Sequence, residues 1–263
     1  MAKRASTIAN TPKRMHEHRK MKVFYSQFVG HDDICFDVGA NVGNRTKVFL
    51  DLGAKVVAVE PQPTCIARLR KKYGTNENVT IVPAAIGSKS GETRMMIGSE
   101  NVASTLSKGW LEKVKGTPQM VNCRWDRSIE VSLTTLSQLI AEHGIPDFCK
   151  IDVEGFEEEV ISGLSRPVKN LSFEFNSMFP KAPMNCIKIL DGLGEYEFNY
   201  SLGESMKWAL PKWTTGKDMR KTLSRLSGSS EVGDVYARLL NGKSALFRSR
   251  HTPALQPKTI KIA

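Results

Sequence analysis

Two apolar strands joined by a glycine turn bound what this chain can fold into. The first strand and turn are Cys35-Phe36-Asp37-Val38-Gly39-Ala40-Asn41-Val42-Gly43, and the second strand is Val56-Val57-Ala58-Val59-Glu60-Pro61. A helix-like stretch from about Asn44 to Leu52, ending at Gly53, lies between them. This is a β-turn-α-β unit with a carboxylate at the tip of its second strand, placed to accept from two ribose hydroxyls. It predicts a doubly wound α/β fold that binds an adenosine-containing cofactor.

The glycine spacing separates two such cofactors. A dinucleotide cradle uses G-x-G-x-x-G, so that backbone can approach a pyrophosphate. Here Asn41 stands where a further glycine is needed between Gly39 and Gly43. Asp37 at the strand end would repel a diphosphate and suits a cation, such as the α-amino group of S-adenosylmethionine (SAM). A charge-assisted hydrogen bond of that kind is worth roughly 1.5–3 kcal/mol. The pattern therefore favours SAM over NAD, although the same glycines also serve a doubly wound domain that needs only tight turns.

A second run, Phe148-Cys149-Lys150-Ile151-Asp152-Val153-Glu154-Gly155-Phe156-Glu157, completes a recognisable pair. With Asp37 to Gly43, Glu60-Pro61 and a later Gly233-Asp234-Val235-Tyr236-Ala237, the chain resembles the FkbM-type family of SAM-dependent methyltransferases. The resemblance covers about Ile34 to Asn176 and is weaker near the C-terminus. It implies a Rossmann-like class I methyltransferase fold: a seven-stranded, mostly parallel sheet with an antiparallel C-terminal edge and helices on both faces. It also implies, most often, methyl transfer to a hydroxyl oxygen of a small molecule or sugar. The expected cofactor residues are Asp37, Gly39, Ala40, Asn41, Gly43, Glu60, Pro61 and Ala85. Ala84 and Ala85 leave room for a flat adenine or simply allow close packing.

Elements along the chain alternate. Helices are predicted over Met15–Phe28, Cys65–Tyr73, Thr134–His143 and Phe156–Leu164 from their apolar spacing and glycine stops. Further strands are predicted at Val79–Ala84, Phe148–Asp152 and Leu171–Phe175, with short ones at 92–97 and 129–133. Tyr196–Tyr200 and Ala245–Arg248 are the expected final edge pair. The strand ends Asp37, Glu60, Ala84/Ala85, Asp152/Glu154 and Glu174/Asn176 then converge on one crevice, where open α/β sheets keep their ligands.

Methyl transfer from a sulfonium needs alignment and, for a hydroxyl acceptor, a base. Asp152 and Glu154 are the candidates, since two close carboxylates push one pKa upward. Asp152 could instead cap the next helix or hold an amine, and Glu154 could serve only that helix's dipole. Lys150 is unusual inside an apolar strand and needs a partner. Glu174, on the face opposite Phe173 and Phe175, is the expected one across adjacent strands. Lys150, Glu174, Asn176, Asp234 and Tyr236 are candidate acceptor contacts. Asp152, Glu154 and Glu174 could take a hard cation, but nothing in the sequence requires one and no metal is expected. The five histidines lie away from the crevice.

Charge is uneven. The formal net charge is +11. Residues 1–22 carry a net +6 and residues 205–263 a net +9, leaving the middle mildly acidic. Such ends suit an acidic partner or a solvated tail. The chain is expected to divide into a basic, flexible segment 1–22, a cofactor-binding core 23–204 and a basic part 205–263 that completes the sheet and could cover the acceptor. A small-molecule or glycan acceptor is expected, and the charge admits an acidic one. Nucleic acid is the lesser alternative, because no Asn/Asp-Pro-Pro-aromatic motif follows the fourth strand. A non-catalytic SAM-fold binding protein is a third reading, opposed by the retained Asp37, Glu60 and Asp152. Trp208 and Trp213 among lysines could stack on bases or sugars, or pack under a lid. Five scattered cysteines, no secretory h-region and no apolar run near ~20 residues fit a cytoplasmic enzyme.

Overall fold

A computed structural model describes residues 11–99, 104–115 and 123–240. The chain opens with α1 (Thr11–Tyr25), β1 (Ile34–Val38), α2 (Asn44–Asp51), β2 (Lys55–Val59), α3 (Pro63–Tyr73) and β3 (Val79–Val82). There follow β4 (Ala85–Ile86), β5 (Gly91–Ile97), α4 (Lys108–Val114), β6 (Arg127–Thr134), α5 (Leu136–His143), β7 (Phe148–Ile151), α6 (Glu157–Ser162) and β8 (Asn170–Asn176). The last elements are α7 (Lys181–Leu193), β9 (Tyr196–Leu202), β10 (Thr214–Thr215), α8 (Gly216–Leu226) and β11 (Val232–Leu239).

The main sheet runs β10-β9-β11-β8-β7-β1-β2-β3. The pairs from β3 to β8 are parallel, and β11 lies antiparallel between β8 and β9. The sequence predicts seven strands. Among the described residues the sheet has eight, because Thr214 and Thr215 add a two-residue edge to β9. The expected strand at Ala245–Arg248 lies outside the described residues; among those described, Val232–Leu239 pairs antiparallel with Tyr196–Leu202. The first helix begins at Thr11, so residues 11–22 of the segment expected to be flexible are helical. The strands expected at 92–97 and 129–133 pair with each other and with Ala85–Ile86 as a separate three-stranded sheet. Among the described residues no helix is long and apolar enough to cross a membrane.

Strand alternation splits the core into two layers. Phe36, Val38, Val57, Cys149, Ile151 and Phe173 face a large cluster covered by α5, α6, α7 and α8. Cys35, Val56, Phe148 and Tyr236 face the opposite side, under Phe24, Tyr25 and Phe49 of α1 and α2. Trp208 and Trp213 belong to this second layer. Trp208 lies 4.6 Å from the Phe24 ring and 5.0 Å from Trp213, so both tryptophans pack rather than offer free faces.

The connection reverses direction between β1 and β7, and there the backbones nearly touch. Gly39 has φ +84°, and a Cβ on it would sit 1.8 Å from the Asp152 carbonyl oxygen. Gly39→Ala is expected to lower stability by about 1–3 kcal/mol for overpacking. A further cost of about 1–2 kcal/mol comes from the left-handed backbone. A urea midpoint checks this, and an unchanged midpoint would show that the two strand ends can separate freely.

Candidate active site

Beyond the carboxyl ends of β1, β2 and β7 opens a cavity of about 290 Å³. Asp37, Gly39, Ala40, Asn41, Glu60, Pro61, Ala85, Lys150, Asp152 and Glu154 line it. Gly43 does not. It enters α2 with φ +78°, its carbonyl accepts from the Tyr73 hydroxyl, and Leu69 and Tyr73 fill the space beside it. Its glycine is a packing requirement.

Glu60 is held at both oxygens. Oε2 accepts from the Asn41 amide at 2.9 Å and Oε1 from the Gln62 amide at 2.8 Å. Asn41 can present its amide because it sits at φ 50°, a region asparagine tolerates. Burial raises the Glu60 pKa against those two bonds. Asp37 accepts from the Thr46 hydroxyl at 2.5 Å, and burial raises its pKa too.

Sequence reasoning missed Arg45 and Glu204, which also line this cavity. Arg45 Nη2 donates to both Glu204 oxygens at 2.7 Å. Nη1 lies against the Met21 sulfur, a weak acceptor, and buried Nε has no partner. Arg45 stands in the first turn of α2, whose N-cap Gly43 offers no side-chain cap. The signal was present as a cation two residues past the glycine turn, where a helix N-terminus favours an anion.

Lys150 is 1% exposed. Its Nζ lies 2.9 Å from Asp234 Oδ1 and 3.1 Å from Asp152 Oδ2. The expected pairing with Glu174 is not made. Register places Lys150 opposite Ser172, and Glu174 opposite Asp234, so the ammonium reaches over a small serine to the next strand but one. Burial opposes charge on Lys150, yet Asp152 and Asp234 hold its pKa well above the ordinary lysine value. Burial likewise opposes charge on Asp152, and Lys150 outweighs it to lower that pKa.

A second cavity, of about 790 Å³, adjoins the first across Leu106 and Phe156. Trp110, Phe179, Glu174 and Asn176 help to line it. Gly155 has φ +87°, and a Cβ there would lie 2.3 Å from the Trp110 ring, so the glycine after Glu154 lets α4 close over this site. One carboxylate oxygen each from Asp152, Glu154 and Glu174 lies within 4.8 Å of the others. Asp152 and Glu154 face the first cavity and Glu174 the second. Burial, then the neighbouring carboxylates, raise Glu154 and Glu174 well above the ordinary value. Glu157, which accepts from the Val153 and Gly155 amides, is raised by burial to about 7.

The remaining candidates have other partners. Asp234 is tied to Lys150, and Tyr236 is fully buried, 5.0 Å from Trp208 and 5.8 Å from Phe28. Neither lines either cavity. Asn176 lines the second, but its Oδ1 accepts from the Met178 amide at 3.0 Å.

Residues 37–224 match the methyltransferase FkbM domain. The chain belongs to the FkbM methyltransferase family. The matched domain is a SAM-dependent methyltransferase domain, with S-adenosyl-L-methionine as its cofactor. The hexuronic acid methyltransferase AglP of Haloferax volcanii is 24% identical over 144 residues. That match spans 54% of this chain and about half of AglP, 54% of its length. Among solved structures, the precorrin-6y C5,15-methyltransferase of Geobacter metallireducens superposes with a TM-score of 0.45 at 12% identity, over 91% of this chain and 94% of that one. The SMU.1697c protein of Streptococcus mutans, in complex with SAH, gives a TM-score of 0.41 at 13% identity, over 91% and 100%.

Proposed function

We propose that this FkbM-family enzyme methylates a hydroxyl oxygen of a sugar, with the cofactor in the first cavity and the acceptor in the second. The observation that carries this reading is the carboxyl cluster at the seam, with Glu154 facing one cavity and Glu174 the other. The activity named for AglP supports a sugar as acceptor.

The first cavity fits a SAM zwitterion by the chemistry of its donors and acceptors. Glu60, fixed by two amides, keeps lone pairs for ribose hydroxyls. Asp37 takes the ammonium. Arg45, with Nε unpartnered at an uncapped helix start, takes the carboxylate. When bound, SAM supplies a methyl group activated by a sulfonium. Asp152, kept ionised by Lys150, favours that positive charge. Glu154 accepts the acceptor's proton and Glu174 orients the hydroxyl. Glu154 also holds a left-handed backbone at φ 55°, an unfavourable conformation of the kind that clusters at functional sites.

Arg45→Met is expected to weaken S-adenosylhomocysteine about 10–100-fold, the worth of a charged hydrogen bond. Methylthioadenosine, which lacks the amino-acid end, should bind as before. Equal losses for both ligands would count against the carboxylate role. The function is tested by radiolabelled methyl transfer from SAM to a panel of sugars. Acid- and base-stable incorporation at oxygen is expected, whereas incorporation at amines alone would overturn the hydroxyl reading.

A further inference from the structure

We infer that the second cavity takes an anionic sugar, and that Arg94, Lys113 and Lys181 read its negative charge. This rests on the reading that the chain methylates a sugar. The three cations come from β5, α4 and α7, three elements far apart in sequence, yet all line one cavity. Each is exposed at its rim. Among the described residues none of them forms an ion pair, and Lys113 has only the Phe179 ring, 5.3 Å from Nζ.

Among the described residues none of the carboxylates in the same lining forms an ion pair with them. Glu157 is committed to the Val153 and Gly155 amides. Glu158 accepts from Asn185 at 3.0 Å and Glu159 from Ser88 at 2.7 Å. Glu174 belongs to the seam, where burial, then Asp152 and Glu154, disfavour its charge. The cavity therefore has an acidic floor beside the methyl donor and an unpaired cationic rim. A neutral hexose would use the floor and leave the rim idle. A hexose bearing a carboxylate or phosphate uses both, with its ring against Trp110 and Phe179. Long cationic side chains fit either anion, because they donate from several angles.

The experiment measures binding of glucuronate, glucose 6-phosphate and glucose to the full chain saturated with S-adenosylhomocysteine. Arg94→Gln, Lys113→Gln and Lys181→Gln are compared with a Lys55→Gln control. Lys55 begins β2, at the opposite end of the strands from both cavities. At least one anion should bind about tenfold or more tightly than glucose. The rim variants, above all the triple variant, should bring that ratio to near one without changing homocysteine-compound affinity. The two anions separate a carboxylate-reading from a phosphate-reading rim. Equal binding of glucose and both anions, a preference that survives the triple variant, or one lost equally in the Lys55 control would overturn the inference. So would the absence of binding by all three sugars to cofactor-loaded protein. Failure to bind S-adenosylhomocysteine at all would instead strike the cofactor-site reading on which the inference rests.

Discussion

Glu154→Gln is expected to cut turnover by about 10²–10⁴-fold, the usual contribution of a positioned base, while S-adenosylhomocysteine affinity stays near wild type. The neutral amide keeps the shape and cannot accept the proton. The pH dependence gives an independent readout. Burial, with Asp152 and Glu157 nearby, raises the Glu154 pKa well above the ordinary carboxylate value. A base must be deprotonated to act. Wild-type rate should therefore be lost on acidification at a midpoint above about 4.3, the ordinary glutamate value. That acidic limb should vanish in Glu154→Gln. Glu174→Gln should raise KM for the acceptor and keep the limb. Full turnover by Glu154→Gln with an unchanged profile would sink the base assignment, and the loss of the limb in Glu174→Gln alone would move it to Glu174.

Lys150→Met should be the most destabilising single change at the site, by about 3–5 kcal/mol, because it strands buried charge. Asp234 is 7% exposed and loses its ammonium partner. Asp152 loses the bond that keeps it ionised. Adding Asp234→Asn should recover part of the loss, since it removes the orphaned charge. Urea denaturation of the single and double variants measures both. The sign with pH follows from Asp152, whose folded pKa is lowered. Its contribution is present above the unfolded value of about 3.9 and is lost as pH falls through the folded one. Wild type should lose stability in that acidic window and Lys150→Met should lose less. A cost under about 1 kcal/mol, the range of exposed pairs, would refute the buried-charge account.

Contiguous residues encoded the proposed cofactor half of the site. Asp37, Gly39, Asn41 and Glu60 lie within one β-turn-α-β unit, where strand alternation, turn conformation and a strand-end carboxylate are local properties. The same local rules placed the strands at 92–97 and 129–133. They did not give Gly43 its packing role, because the Leu69 and Tyr73 side chains beside it come from the next helix. Val232–Leu239, with Gly233 and Asp234 inside it, lacks the alternating pattern that marks a strand, and its pairing with β9 was not legible locally.

The charge pairing was decided by tertiary structure. Lys150 and Asp234 are 84 residues apart and Arg45 and Glu204 are 159 apart. Which charges meet depends on strand order and register, and neither is written in a local pattern. Lys150 was matched to Glu174 because β7 and β8 are neighbours. The fold inserts β11 between β8 and β9, puts the small Ser172 beside Lys150, and brings Asp234 within its reach. That exchange frees Glu174 for the seam with Glu154. Local pattern put Asp37, Glu60, Asp152 and Glu154 at strand ends, and all four line the first cavity. Only the packing of α4, β8 and α7 around Gly155 decided that a second cavity, with its own charges, would open beside it.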